Sequence, residues 1–289
     1  MKTVTDNQTL YHLIRDYMQA MGTSRTTIVA LQSYIDAVRR LDCNESDFKP
    51  LMLELNQVIK SAEPKIVSLT HLIEEFEAEM ETHSMGSLDQ IKERTAELLT
   101  QKLKRFETDT LKLTRHCADR IETGDFIIAS SPTAYICDAF AVAHKELSRS
   151  FRVLALKQDF LRTRELVKTL EHHQIPYELI PQYNLSHYLG QTTKLFISAV
   201  SVTTDQKAVT GLGTANVVSI CHAHNVPVYL FVESLKFSHT PLSDQHIYRE
   251  ETETKESNIT FHMTTYSNDF VGMHRVDHLI TENGEKPQQ

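Results

Sequence analysis

Between Lys194 and Phe237 the chain reads KLFISAVSVTTDQKAVTGLGTANVVSICHAHNVPVYLFVESLKF, an order of textures that few folds accommodate. Leu195–Ala199 is a short apolar run without polar breaks, as expected of a strand buried on both faces. A polar loop leads to Gly211-Leu212-Gly213-Thr214. Val217, Val218, Ile220 and Cys221 then recur at helical spacing until Asn225-Val226-Pro227 interrupts them. A second buried run, Val228–Val232, ends on Glu233-Ser234. Strand, loop, helix and strand make a crossover, so the two strands are expected to be parallel neighbours. Ligands of such sheets sit beyond the carboxyl ends of the strands. Val200–Thr214 and Glu233–Phe237 therefore form the rim of any pocket.

The same alternation begins at Gly124. Phe126–Ala129, Arg152–Leu156 and Tyr177–Ile180 read as strands, separated by helices at Ala134–Leu147 and Leu161–His173. Before about residue 120 the texture is helix after helix, with Pro50 and Pro64 as breaks. Leu98, Leu99, Leu103, Phe106, Leu111, Leu113 and Cys117 give Leu88–Ile121 one apolar side. The Glu-rich run Glu74–Glu81 and the basic run Lys102–Arg105 read as solvated helix faces whose charges offset each other. The expected fold class is α/β: an N-terminal helical domain (1–120) followed by a Rossmann-like parallel-sheet domain (121–289). Thr260–Thr265 reads as an added edge strand, and Glu285–Gln289 as a loose tail.

A chain of 289 residues, 40% hydrophobic, can bury a substantial core. Its net charge of −8 argues against direct nucleic-acid binding through a general positive field. The sequence holds no apolar run long enough to span a membrane, and MKTVTDNQTLYHLI lacks the apolar centre of a secretion signal. The four widely spaced cysteines read as reduced, buried thiols, so a cytoplasmic location is expected. None of the 15 histidines has a zinc-like spacing, and no metal is expected. Gly-Leu-Gly-Thr has neither the dinucleotide fingerprint nor the Lys-Ser/Thr of a P-loop, so no cofactor is expected.

Chemistry must then come from the strand ends. After the first strand, Ser130, Ser131 and Thr133 place hydroxyls and backbone N–H groups at a helix N-terminus, which suits a phosphate or carboxylate. After the second stand Lys157, Gln158 and Asp159. Asp205 and Lys207 follow the Leu195–Val202 strand, with Thr210, Gly213 and Thr214 at a second helix entry. Glu233, Ser234 and Lys236 end the last strand, where Glu233 and Lys236 can pair across a turn and shape the loop. No GxSxG elbow accompanies Ser131, so capping is the simpler role for it.

The stretch NVPVYLFVESLKFSHTPLS resembles the regulatory alpha, beta and delta subunits of eukaryotic translation initiation factor 2B. Those carry a proline-led strand, then Glu-Ser-x-Lys-Phe, then Pro-Leu. The Gly213-Thr214 helix entry, the Leu195–Val202 strand and the closing Leu279-Ile280-Thr281-Glu282-Asn283-Gly284 fit the same pattern. The resemblance implies a helical part joined to a Rossmann-like half, and it extends to a superfamily of isomerases. Those enzymes act on methylthioribose 1-phosphate and ribose 1,5-bisphosphate. Their His-Cys pair corresponds here to Ser130-Ser131, and their aspartate to Val200. Their Asn-Lys becomes Thr210-Gly211. Moving a proton between two sugar carbons needs a positioned acid–base group, and neither a serine hydroxyl nor a valine supplies one near neutral pH. The resemblance thus implies no catalytic residues at the ancestral positions. It implies action by protein–protein assembly, as a homodimer or with related subunits, with a phosphorylated sugar or nucleotide as small ligand. Ser130, Ser131, Thr133, Lys157, Asp205, Thr210, Gly213 and Thr214 are the ligand-binding candidates; Glu233, Ser234 and Lys236 shape the loop and dimer surface. The alternative is a divergent aldose–ketose isomerase whose chemistry has moved to Asp205 or Lys157.

Overall fold

The computed structural model describes residues 3–62, 64–80, 86–157, 160–245, 247, 249–256 and 259–287. It divides into two compact units, Met1–Lys112 and Leu113–Gln289. The first is built from helices α1 (Thr3–Arg40), α2 (Glu45–Ser61), α3 (Val67–Met80) and most of α4 (Leu88–Asp119). Gly22 interrupts α1 with φ 76° and ψ 165°, backbone angles that glycine adopts readily. Pro50 does not end a helix: α2 begins earlier, at Glu45, and runs through it. The cost is the one backbone hydrogen bond that residue 50 would otherwise donate to Ser46 O.

Leu31, Phe48, Met52, Leu72, Ile73, Phe76, Leu99 and Phe106 are buried in this unit, and Tyr34 meets Phe76 edge-to-face at 5.9 Å. The glutamate and lysine runs answer one another. Lys102 Nζ lies 3.2 Å from Glu75 and 2.5 Å from Glu79, Arg105 lies 2.6 Å from Glu75, and Lys60 lies 2.5 Å from Glu77. Each run is neutralised by the neighbouring helix rather than held open for a polyanion.

The second unit is organised on a seven-stranded sheet. In chain order its strands are β1 (Phe126–Ala129), β2 (Arg152–Lys157), β3 (Tyr177–Pro181), β4 (Lys194–Ser198), β7 (Val228–Phe231), β11 (His278–Thr281) and β12 (Gly284–Lys286). The spatial order is β12-β11-β7-β4-β1-β2-β3, parallel throughout except for β12 against β11. Helices α5 (Ala134–Lys145), α6 (Phe160–His172) and α7 (Thr214–Ala223) make the crossovers. Strands β1 and β4 are buried along almost their whole length, and apolar clusters lie on both faces of the sheet. From β1 the chain winds outward to β2 and β3, then returns to the other side through β4, β7 and β11. The order therefore reverses between β1 and β4, and a crevice opens there at the carboxyl ends.

Three expectations need correction. The Val200–Thr214 connection is not a plain loop. It contains β5 (Ser201–Val202) and β6 (Lys207–Thr210), which join β10 (Asp269–Gly272) in a small antiparallel sheet. Thr260–Thr265 is not an edge of the main sheet: it lies in β9 (Ile259–Tyr266), which pairs with β8 (Arg249–Glu256) as a separate hairpin. The segment from Glu285 is not wholly loose, since Gly284–Lys286 pairs with β11 and Lys286 lies 3.9 Å over the Phe237 ring. Residues 81–85, where the sequence predicts a polar loop (Thr82–Ser87) before the long helix, Gln158, Asp159 and the last two residues lie outside the described part. No helix among the described residues is long and apolar enough to cross a membrane.

At the C-terminal ends of α5 and α6, His173 stands near Lys145, His172 and His144. Burial first, and then those positive neighbours, hold its pKa below the ordinary value. The unfolded chain then takes up the proton more readily, so this residue costs stability as pH falls below about 6.5. Chemical unfolding of His173→Gln from pH 8 to pH 5 should show a smaller acid-side loss of stability than the parent; an unchanged pH slope contradicts the assignment.

Candidate functional site

The carboxyl ends of β1, β4 and β7 bring together side chains from four separate stretches. Ser130, directly after β1, is fully buried, and its N–H donates to Phe196 O at 3.2 Å. Ser131 turns the chain sharply toward α5 with φ 48°, a left-handed conformation uncommon for a residue with a side chain. Its carbonyl accepts a hydrogen bond from Ser198 Oγ at the end of β4 (3.0 Å), and its hydroxyl meets Thr214 Oγ1 at 3.1 Å. Only 3% of Ser131 is exposed. The two helix entries proposed from sequence, at α5 and at α7, therefore touch through these two hydroxyls.

The α5 entry has no side-chain cap. Thr133 occupies its N-cap position in extended geometry without a side-chain capping bond, and the buried hydroxyl has no hydrogen-bond partner. Two residues on, Tyr135 donates its phenol to Phe231 O at 2.8 Å. Burial, and then the charge of Glu233, keep that phenol protonated far beyond its usual range.

The α7 entry is closed by the protein itself. Gly213 adopts φ 83°, a left-handed conformation that favours glycine, and a Cβ there would push aside the Gln182 amide, whose Oε1 would lie 2.3 Å away. Gln182 Nε2 donates to Gly213 O at 2.7 Å. On the amide side, Asp269 Oδ2 accepts from Ala215 N at 3.2 Å, while the adjacent Asn268 Nδ2 donates to Thr210 O at 3.2 Å. A carboxylate from the start of β10 thus sits where a helix N-terminus would otherwise draw a ligand's negative charge.

Beyond β7, Glu233 and Lys236 form an ion pair at 2.9 Å with side chains 2% and 0% exposed. The ammonium also lies 5.7 Å from the Tyr135 ring centroid. Ser234 donates its N–H to Glu282 Oε2 at 2.9 Å, and its hydroxyl donates to Oε1 of the same carboxylate. Phe237 and Ser238 then join the backbone of Val202. The loop is tied at both ends.

Of the sequence candidates, Ser130, Ser131 and Thr214 are gathered directly, beside Ser198, with Glu233 and Lys236 linked to them through Tyr135. Lys157 ends β2 with an exposed side chain. Asp205 lies at the tip of the β5–β6 turn, where its Oδ1 accepts from Leu242 N at 2.9 Å and its Oδ2 is 3.8 Å from Lys207. Hydrogen bonding from Thr203, then from the Leu242 backbone, and the nearby lysine lower its pKa. It fixes the 238–245 segment. Tyr135, Asp269 and Glu282 were not among the candidates, nor was Ser198 as a binding group. Ser198 carried a signal, a hydroxyl ending an apolar strand; Asp269 carried none, being 54 residues from its partner. Among the described residues no group of three or more His, Cys, Asp or Glu side chains is placed to hold a metal ion.

Residues 16–287 match the model of the "Initiation factor 2 subunit family". The chain is 27% identical over 170 residues to a "Putative translation initiation factor eIF-2B subunit 2-like" of Pyrococcus abyssi, spanning 57% of this chain and 61% of that one. It is 23% identical over 237 residues to the "Ribose 1,5-bisphosphate isomerase" of Methanocaldococcus jannaschii, spanning 80% and 73%. Among solved structures, the Pyrococcus horikoshii OT3 translation initiation factor eIF-2B superposes with TM-score 0.76 at 21% identity, covering 95% of this chain and 96% of that one. A chain of the tetrameric eIF2B-beta2-delta2 complex from C. thermophilum gives 0.72 at 14% identity, covering 99% and 92%. These structural likenesses establish the fold.

Breaking the buried pair leaves a charge without its partner, at a cost of about 3–5 kcal/mol. Lys236→Met should lower unfolding stability by that order, and Glu233→Gln combined with Lys236→Met should recover part of the loss. A single variant as stable as the parent would mean the pair does not hold the loop.

Proposed function

The chain belongs to the initiation factor 2 subunit family, and on that premise we propose that it is a non-catalytic assembly subunit. It acts by pairing its α/β unit with a second copy or with related subunits, and it accepts a small phosphorylated sugar or nucleotide at the α5 entry. The tetrameric assembly named for the C. thermophilum relative supports the assembly role. A cytoplasmic location goes with this reading.

The observation that carries the non-catalytic reading is the state of Ser131. By resemblance it stands where the isomerases have a cysteine, and here its hydroxyl is buried and bonded to Thr214. Val200, at the position of their aspartate, has no proton to exchange. The acidic and basic groups nearest the crevice, Glu233 and Lys236, are bound to each other, and the Tyr135 phenol is held protonated. Ser130, Ser131 and Thr133, with the first amides of α5, are the groups assigned to the ligand's phosphate.

The isomerase relative over 80% of the chain favours a second reading, a divergent aldose–ketose isomerase. Incubation with ribose 1,5-bisphosphate and with methylthioribose 1-phosphate separates the two. No ketose product is expected; turnover abolished in Glu233→Gln or in Asp205→Ala would establish the enzyme instead. For assembly, sedimentation should give at least twice the 33.1 kDa chain mass, and a species of single-chain mass at the highest concentrations would refute self-pairing.

A further inference from the structure

We propose that strand β9 pairs with β9 of a second copy, antiparallel about a two-fold axis beside Phe261. The inference rests on the self-pairing reading above and names the surface that carries it.

The hairpin of β8 and β9 is a two-stranded sheet that joins no other strand among the described residues. Two strands alone are marginally stable in water, whereas three or more with an apolar face support themselves. Alternate residues of a strand face opposite ways, so Ile259, Phe261 and Met263 share one face. They are 58%, 50% and 55% exposed. A further strand bringing apolar side chains to the same face would shield part of that surface from water.

The sequence of β9 selects that strand. ITFHMTTY contains no Asp, Glu, Lys or Arg. Antiparallel pairing of β9 with itself about Phe261 sets Phe261 opposite its own copy and Ile259 opposite Met263. An axis normal to the sheet keeps both copies the same side up, so these apolar pairs all fall on one face. The pattern is self-complementary, as an isologous contact requires. Strand β8 cannot serve in the same way. Its Glu251 and Glu253 are exposed, and self-pairing would set Glu251 against itself or against Glu253. Like charges directly opposite one another are unfavourable. The product is a four-stranded sheet in the order β8-β9-β9-β8, with those carboxylates along both outer strands. Charged edges of this kind discourage a further strand, so growth stops at two chains.

The test is sedimentation of the full chain as parent, as Phe261→Lys, as Phe261→Glu and as an equal mixture of the two variants. Each variant alone sets two like charges across the axis and should weaken self-association at least about tenfold. The mixture sets opposite charges there and should recover most of the loss. Removal of an apolar side chain alone cannot give that recovery. Melting curves check that both variants are folded. Variants that associate as tightly as the parent overturn the role of β9 and leave the self-pairing reading standing. So does a mixture that stays dissociated. A parent that keeps its single-chain mass at the highest concentrations defeats the self-pairing reading, and this inference with it.

Discussion

The Glu233–Lys236 ion pair is the contact on which the carboxyl edge of the sheet depends. Both charges are removed from water, so the pair holds only while its geometry is kept and the remaining polar atoms are satisfied. Lys236 lies against the Tyr135 ring, and that phenol reaches back to Phe231 O in β7. The loop that carries the pair is tied to Glu282 on one side and to Val202 on the other. One buried pair thereby links α5, the β11–β12 turn and the small antiparallel sheet.

On the proposed reading, an isomerase-like scaffold and a non-catalytic crevice are compatible because the backbone and the reactive groups are under separate constraints. The crossover topology needs buried apolar strands, a tight entry to α7 and a sharp turn into α5. Each is present, down to the left-handed backbone of Ser131 and Gly213. Proton transfer needs ionisable groups free to exchange, and here the hydroxyls bond to one another while the ionised groups are paired. A fold shared with enzymes therefore does not carry their chemistry with it.

Much of the architecture was legible because its causes are local. The strand at Leu195 and the helix from Thr214 follow from run length, periodicity and a glycine at the turn. Glu233 and Lys236 stand three residues apart in a short helical turn, so their meeting is a matter of spacing. Asp269 and Glu282 are different. Their partners, Ala215 and Ser234, lie 54 and 48 residues away. No periodicity links them, and only the closing of the sheet brings them together. The small sheet escaped for a related reason: β5 and β6 are two and four residues long, too short for alternation to show. Asp205 misled in the opposite direction. A charged residue in a rim loop looks like chemistry, yet its carboxylate holds the Leu242 backbone.

The hairpin of β8 and β9 pairs with nothing else among the described residues, and Ile259, Phe261 and Met263 stand half-exposed along one of its faces. Two strands alone are barely self-supporting in water, and their outer backbone edges are unspent donors and acceptors. Arg249, Glu251 and Glu253, exposed along β8, make one of those edges inhospitable to a neighbouring chain. Along β9 the exposed Thr260, His262 and Thr264 include no carboxylate or lysine of that kind. An unpaired edge of this kind is a ready template for another strand, so self-association at high concentration is expected to begin on this arm.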